Sequence, residues 1–137
     1  MKKYINTAMV YAILAMCAGV FFREFTKIRA FQGETMLGFA HPHLFALGTC
    51  VFLIAALFVR GQENLPVKPF KSFYIVYNIG IIGTSIMMIV RGVLQVLGTE
   101  LGKGVNGMIS GIAGLAHITT AVGIVLLLLA LKKTAKN

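Results

Sequence analysis

Four ionisable residues lie inside otherwise apolar stretches of the sequence. They are the three histidines of the chain, His41, His43 and His117, together with Arg91. An ionisable side chain is costly inside a membrane and usually marks a site that binds an ion, a proton or a cofactor. Neutral imidazole is cheaper to bury than a charged group and is a common axial ligand of haem iron. These residues therefore indicate a haem or metal site, provided that the apolar stretches are membrane spans.

The composition is that of a membrane protein. The chain has 137 residues, of which 58% are hydrophobic and 12% are charged, and its mean hydropathy is +0.85. Soluble domains carry roughly 25% charged residues, so this chain has too little charge to cover a surface that faces water. The composition excludes disordered, collagen-like and coiled-coil proteins and argues against a free cytosolic enzyme. It favours an integral membrane protein whose outer surface contacts lipid.

The net charge of +9 would indicate nucleic-acid binding in a soluble protein. Here the basic residues lie at the ends of apolar stretches, where they can contact anionic lipid headgroups. They form no periodic face and are not interleaved with aromatic residues that could stack on bases. We therefore expect membrane lipid, and no nucleic acid, as a partner.

Four apolar stretches define the predicted architecture. They lie at about 4–22, 37–59, 73–97 and 108–131. Each has roughly 19–25 residues, enough for a helix to cross a hydrocarbon core of about 30 Å. Because the links between them are short, we predict an all-α membrane protein, a bundle of four transmembrane helices running up-down-up-down, as one domain over residues 1–137. The tyrosines Tyr4, Tyr11, Tyr74 and Tyr77 are expected at the membrane interface.

The distribution of lysine and arginine predicts the orientation. Of the 13 such residues, eight lie on the side of the predicted bundle that carries both termini, four lie on the other side, and Arg91 lies within the third span. Loops that remain in the cytoplasm carry an excess of basic residues. We therefore expect a multi-pass protein of the bacterial cell membrane with both termini in the cytoplasm.

The spacing of the histidines predicts a site for haem b. In a bundle of four helices, spans two and four lie across the core from each other, so His117 could face a histidine of span two with haem iron between them. His41 and His43 are two residues apart and point about 200° apart on a regular helix, so only one of them faces His117, and both remain candidates. Arg91 and Arg23 lie near the same end, where they could pair with the two haem propionates.

Three alternatives remain open at this stage. The histidines His41, His43 and His117 could bind a small metal ion, although no fourth ligand is evident. The chain could be a small metal or solute transporter lined by histidine, methionine and Arg91, or an accessory subunit in which polar residues only hold helices together. Within the haem hypothesis a quinone is the candidate electron partner, and the spacing of Gly107 and Gly111 is compatible with a homodimer.

Parts of the sequence resemble a known family. The segments that carry the resemblance are KKYINTA at 2–8, YAILAM at 11–16, FREFTK at 22–27 and HPHLFALG at 41–48. They resemble a family of small bacterial four-span membrane proteins catalogued mainly as of unknown function. If this family binds haem, haem sequestration and tolerance would suit so small a protein.

A second resemblance covers one helix. The stretch that begins at His41 is similar to haem-ligand helices in the catalytic subunits of haem–copper and nitric-oxide reductases, where the first histidine ligates a low-spin haem. This resemblance implies His41 as the ligand. The chain has too few histidines for a copper–haem centre, so the resemblance does not imply oxygen reduction.

Overall fold

The computed structural model describes residues 1–60 and 67–134, and within them the chain forms four long helices and no strand. Helix α1 covers Lys2–Ile28, α2 covers Leu37–Val59, α3 covers Val67–Val96 and α4 covers Lys103–Thr134. Each is long and apolar enough to cross a membrane. The predicted all-α, four-span fold is confirmed, and the chain is a multi-pass membrane protein.

Helix α2 has the predicted bounds, whereas α1, α3 and α4 extend beyond their apolar stretches. The turn predicted between the second and third spans falls partly on residues 61–66, which lie outside the described residues. Lys68 and Pro69 belong to the first turn of α3. Proline is tolerated there because the first N–H groups of a helix have no partner within the helix.

Two helices end in the same backbone motif. After α3, the N–H of Gly98 donates to the Gln95 carbonyl and the N–H of Thr99 donates to the Leu94 carbonyl. Gly98 has φ +63°, the left-handed conformation that this C-terminal cap requires and that glycine adopts without strain. The corresponding position after α1 is Ala30, which has φ 47°.

The aromatic core lies where α1, α2 and α3 meet, towards the end that carries the N-terminus. Its centre is Phe52, which is fully buried. The rings of Tyr11, Phe73 and Tyr77 lie 5.6–5.7 Å from that of Phe52. Tyr77 donates a hydrogen bond of 2.9 Å to the Leu47 carbonyl. Tyr11 and Tyr77 are therefore core residues, and the prediction that they lie at the membrane interface is wrong for both.

Successive helices run in opposite directions. Between α1 and α2, Tyr4 stacks on Phe52 and Phe22 contacts Gly38, so the start of one helix meets the end of the other. The contacts between α2 and α3, and those between α3 and α4, likewise join the start of one helix to the end of the other. The up-down-up-down arrangement places both ends of the described chain on one side of the bundle.

Helix α4 lies at the edge of the bundle and packs mainly on α3. A Cβ added to Gly80 would lie 2.5 Å from the Thr120 nitrogen, and one added to Gly123 would lie 2.7 Å from the Tyr77 Cα, so these glycines allow the two backbones to approach closely. Within the described residues the other side of α4 is uncovered, and no other helix comes within 4 Å of a Cβ built on Gly111. The arrangement is thus more open than a square bundle with α2 and α4 across a shared core.

Candidate functional site

The histidines of α2 lie beside an irregular segment of that helix. Pro42 stands inside the helix, where it has no N–H to donate to the preceding turn. The next residues, Leu44–Cys50, form a π-helical segment. Such wider turns inside α-helices are frequent at functional sites. His41 and His43 flank Pro42 and project to opposite sides of α2, as their spacing predicts.

His41 projects towards α1. Its Nδ1 lies 2.8 Å from the Ala15 carbonyl oxygen. Because a carbonyl oxygen only accepts, Nδ1 carries the proton and donates. Gly19 provides the space for the ring, since a Cβ at that position would lie 3.3 Å from Nδ1. His41 therefore links α2 to α1.

His43 projects the other way and meets His117 of α4. The centres of the two imidazole rings are 6.4 Å apart and their planes are inclined by 79°. His43 Nδ1 lies 3.1 Å from the Phe39 carbonyl oxygen, and His117 Nδ1 lies 2.8 Å from that of Ala113. Both Nδ1 atoms are therefore donors, which leaves the Nε2 lone pair of each neutral ring as an acceptor or a metal ligand. We call these two residues the His43–His117 pair.

The pair is open to its surroundings. His43 is half-buried and His117 is exposed on the surface of α4. Within the described residues, no group of three or more histidine, cysteine, aspartate or glutamate side chains could hold a metal ion. The pair thus offers two nitrogen ligands, and His41 lies on the opposite side of α2.

Arg91 joins α3 to α4 on the same side as His117. Its Nη2 donates to Asn106 Oδ1 and to Ser110 Oγ, both at 2.8 Å. Ser110 precedes His117 by two helical turns, about 10 Å along the axis. The roles of Asn106 and Ser110 were not anticipated from the sequence, although their spacing of four residues places them on one face of α4.

Arg23 lies apart from these residues. It belongs to α1, its side chain is 80% exposed, and its Nε lies 3.9 Å from Glu24 Oε1. The structure thus brings His43, His117 and Arg91 together around one face of α4. It places Arg23 on α1 and His41 against α1.

The fold and this constellation define a class: a small four-span helical membrane protein with an imidazole pair shared by two helices. The chain belongs to the family described as "Protein of unknown function (DUF2871)", whose model matches residues 1–134. This confirms the resemblance to a four-span family of unknown function. No curated protein and no solved structure matches the chain.

Proposed function

We propose that the chain is a membrane haem b protein in which His43 and His117 are the axial ligands. The observation that carries the proposal is the His43–His117 pair: two imidazoles from different helices, 6.4 Å apart, each with Nδ1 donating to a backbone carbonyl. A bond from Nδ1–H to a carbonyl fixes the tautomer of a ligating histidine and raises the basicity of Nε2. The proposal selects His43 over His41 because only His43 lies beside the ring of His117.

The ring separation fits two imidazoles that share one metal ion. A bond between a metal and an imidazole nitrogen is about 2 Å long, so two nitrogens on opposite sides of one metal ion lie about 4 Å apart. Each ring centre lies about 1 Å beyond its nitrogen. The two ring centres are then about 6 Å apart. The separation of 6.4 Å agrees with this value. This agreement of the ring-centre distance supports the proposal that the two imidazoles share one metal ion.

The surface of α4 next to His117 suits a flat ligand. Gly114 and Gly111 lie about one and two turns before His117 along the helix, and no other helix in the described part of the chain comes within 4 Å of a Cβ built on either. Glycines expose a smooth strip of backbone that a planar ring can approach closely. Gly114 therefore leaves room for such a ring beside His117.

Arg91 is the proposed partner of a propionate. Its two hydrogen bonds to α4 engage Nη2, and within the described residues the Nε and Nη1 donors remain for a carboxylate, with which arginine forms strong paired hydrogen bonds. Asn106 and Ser110 hold the guanidinium on the α4 face. Arg23, paired with Glu24 on α1, is not part of the proposed site.

When bound, haem supplies one-electron redox chemistry, with a potential set by the axial ligands and their hydrogen bonds. The contribution of this chain is to hold Nε2 of two neutral imidazoles in place and to anchor an anionic group at Arg91. If both imidazoles bound the iron, two protein ligands would favour holding haem or passing electrons, for example to a quinone, over binding oxygen. Sequestration and electron transfer are both compatible with the site.

The proposed setting is the bacterial cell membrane with both termini in the cytoplasm. Lysines and arginines are concentrated at the end that carries the termini: Lys2, Lys3, Arg60, Lys68, Lys71, Lys132 and Lys133 among the described residues. This excess supports the orientation because cytoplasmic segments retain basic residues. In this orientation the His43–His117 pair lies in the outer half of the membrane.

The haem content of the purified chain tests the proposal. We expect the wild-type protein, produced in haem-sufficient cells, to carry stoichiometric haem b, and His43→Ala and His117→Ala to lose most of it. His41→Ala is the matched control and should retain haem. A colourless wild-type protein would contradict the proposal; copper binding by that protein would favour a transporter, and copurification with a partner would favour an accessory subunit. Loss of haem in His41→Ala but not in His43→Ala would contradict the assigned ligand.

A growth experiment separates the two physiological roles. If the protein sequesters haem, a deletion strain should be more sensitive to excess haem, and the wild-type gene should restore tolerance while His117→Ala should not. If the protein transfers electrons, tolerance is unchanged and the haem in membrane vesicles is reduced by added quinol. If neither effect is observed, the protein would bind haem but have neither of the two proposed roles.

A further inference from the structure

A long groove runs between α1 and α3, on the other side of the molecule from the His43–His117 pair. Its apolar section has a volume of about 310 Å³ and is closed at the back by Leu44 of α2. A second section of about 530 Å³ continues it towards the N-terminus. The two sections share Tyr11, Leu14 and Ile82, so they form one continuous feature, which we call the α1–α3 groove. Its size lies within the range of ligand sites in proteins.

The two sections differ in polarity. The section near the N-terminus is bordered by Lys3, Asn6, Thr7, Tyr74 and Asn78. The other section is lined almost entirely by apolar side chains as far as Phe21. Tyr11 and Phe21 are ten residues apart, about 15 Å along the helix, which is half of a hydrocarbon core of about 30 Å. The apolar trough is therefore as long as the hydrocarbon of one leaflet, and the polar mouth adds the eight residues from Lys3 to Tyr11, about 12 Å.

The charges around the mouth identify the kind of headgroup that it would bind. Lys3 Nζ lies 3.4 Å from the centre of the Tyr74 ring, and Lys2 precedes it on the same turn. The acidic residues of the described chain, Glu24, Glu34 and Glu100, lie at or beyond the opposite helix ends. Among the described residues, the charged groups nearest the mouth are therefore basic, which favours an anion. Basic pockets between transmembrane helices bind the headgroups of anionic lipids.

We propose that the α1–α3 groove is a binding site for one anionic phospholipid, with its phosphate at Lys3 and one acyl chain along the trough to Phe21. The hydroxyl groups of Thr7 and Tyr74 form a hydrogen bond of 2.9 Å, and the Tyr11 hydroxyl donates a hydrogen bond of 2.7 Å to Asn78 Oδ1. These bonds fix the walls of the mouth, so the ammonium group of Lys3 is the part that selects the headgroup. The site is independent of the haem proposal because it shares no residue with the His43–His117 pair.

The test measures the phospholipid that the full chain retains. The purified protein is reconstituted in nanodiscs of equimolar phosphatidylglycerol and phosphatidylcholine, and retained lipid is counted by native mass spectrometry. We expect preferential retention of phosphatidylglycerol, and loss of most of it in Ile82→Trp, because the indole would fill the section that joins mouth and trough. Ile79→Trp is the matched control, since Ile79 is exposed elsewhere on α3 and should retain lipid.

A second pair of variants tests the headgroup without changing the packing. Lys3→Gln should lower the preference for phosphatidylglycerol about five-fold, the effect of one basic side chain near an anionic lipid, whereas Lys2→Gln should lower it less. Equal retention of both phospholipids by the wild type, or equal preference in the two lysine variants, would overturn the proposal. Retention of a prenylquinone in place of the phospholipid would also overturn it.

Discussion

The two sides of α2 use the same kind of side chain in different ways. On the side that faces α1, His41 donates to a carbonyl of another helix, and Gly19 makes space for its ring. On the side that faces α4, His43 donates only to its own helix and lies beside a second imidazole. Both bonds engage Nδ1 and leave a lone pair on Nε2. The two histidines differ because only the bond of His41 links two helices and only His43 lies beside a second imidazole.

Helix packing is also closer on the side of α2 that faces α1 than along the outer side of α4. Between α1 and α2, neighbouring side chains occupy the space beside the glycines. At Gly48, for example, an added Cβ would lie 2.5 Å from Tyr11 Cγ. Along the free side of α4, Gly111 and Gly114 lie away from the other helices of the described chain. The contact between α1 and α2 is therefore specified by close packing. The α4 side has space for a ligand.

Substitution of glycine should give the largest contrast between the two sides. We expect Gly48→Ala to lower the free energy of unfolding by about 1–3 kcal/mol, the usual effect of overpacking, because the aromatic ring of Tyr11 is held in the core. Gly111→Ala should leave the free energy unchanged or raise it by up to about 1 kcal/mol, since alanine is the better helix former. Unfolding of the haem-free protein in mixed micelles measures both. Similar losses in the two variants would show that α4 is covered in solution.

Substitution of arginine sharpens the comparison at the proposed haem site. Arg91→Ala should weaken haem retention about ten-fold, because the loss of one charge-assisted hydrogen bond costs about 1.5 kcal/mol or more. Arg23→Ala is the matched control on α1 and should have no effect. Transfer of haem to excess apomyoglobin measures retention, and circular dichroism checks that the helices are intact. Equal retention in the two variants would exclude the propionate role of Arg91.

The stability of the haem-free protein separates the two histidines of α2. We expect His41→Ala to lower the free energy of unfolding by about 1 kcal/mol, from the loss of a hydrogen bond between helices. His43→Ala should have a smaller effect, since its bond lies within one turn and links no second helix. The same micelle titration measures this difference. A larger loss for His43→Ala would mean that His43 is the packing residue.

The smallest expected effect is at the end of α1. Ala30 adopts φ 47°, which strains a residue with a Cβ. Ala30→Gly should therefore raise the free energy of unfolding by about 0.5–1 kcal/mol. Gly98→Ala is the reciprocal change at the end of α3, where φ is +63°, and should lower it by a similar amount. Changes of the same sign in both variants would contradict the cap assignment.

The sequence was sufficient to predict the four helices and their alternating directions, because apolar length and short links are properties of the chain itself. It did not predict that Tyr11 and Tyr77 are buried. Their hydroxyl groups bond to Asn78 and to the Leu47 carbonyl, and these partners are distant along the chain. It also did not distinguish the packed Gly80 from the open Gly111, since the face that each glycine presents to a neighbour depends on the rotation of its helix.

The candidate site was predicted in part. His43, His117 and Arg91 were identified as candidates because polar groups are costly in a membrane. Helix geometry also predicted that His41 and His43 project to opposite sides of α2. Which of the two faces α4 depends on the rotation of α2 about its axis, which the sequence does not report. Arg23 was grouped with Arg91 by depth alone, whereas the structure pairs it with Glu24 on α1.

The optical spectrum of the ferric protein tests the central claim most directly, because the Soret and visible bands report the axial ligands. For the wild type and for His41→Ala we predict the spectrum of six-coordinate, low-spin haem b with two imidazole ligands. For His43→Ala and His117→Ala we predict that any residual haem is five-coordinate and high-spin. A low-spin spectrum that persists in His43→Ala but is lost in His41→Ala, or a wild-type protein with no haem bands, would contradict the account.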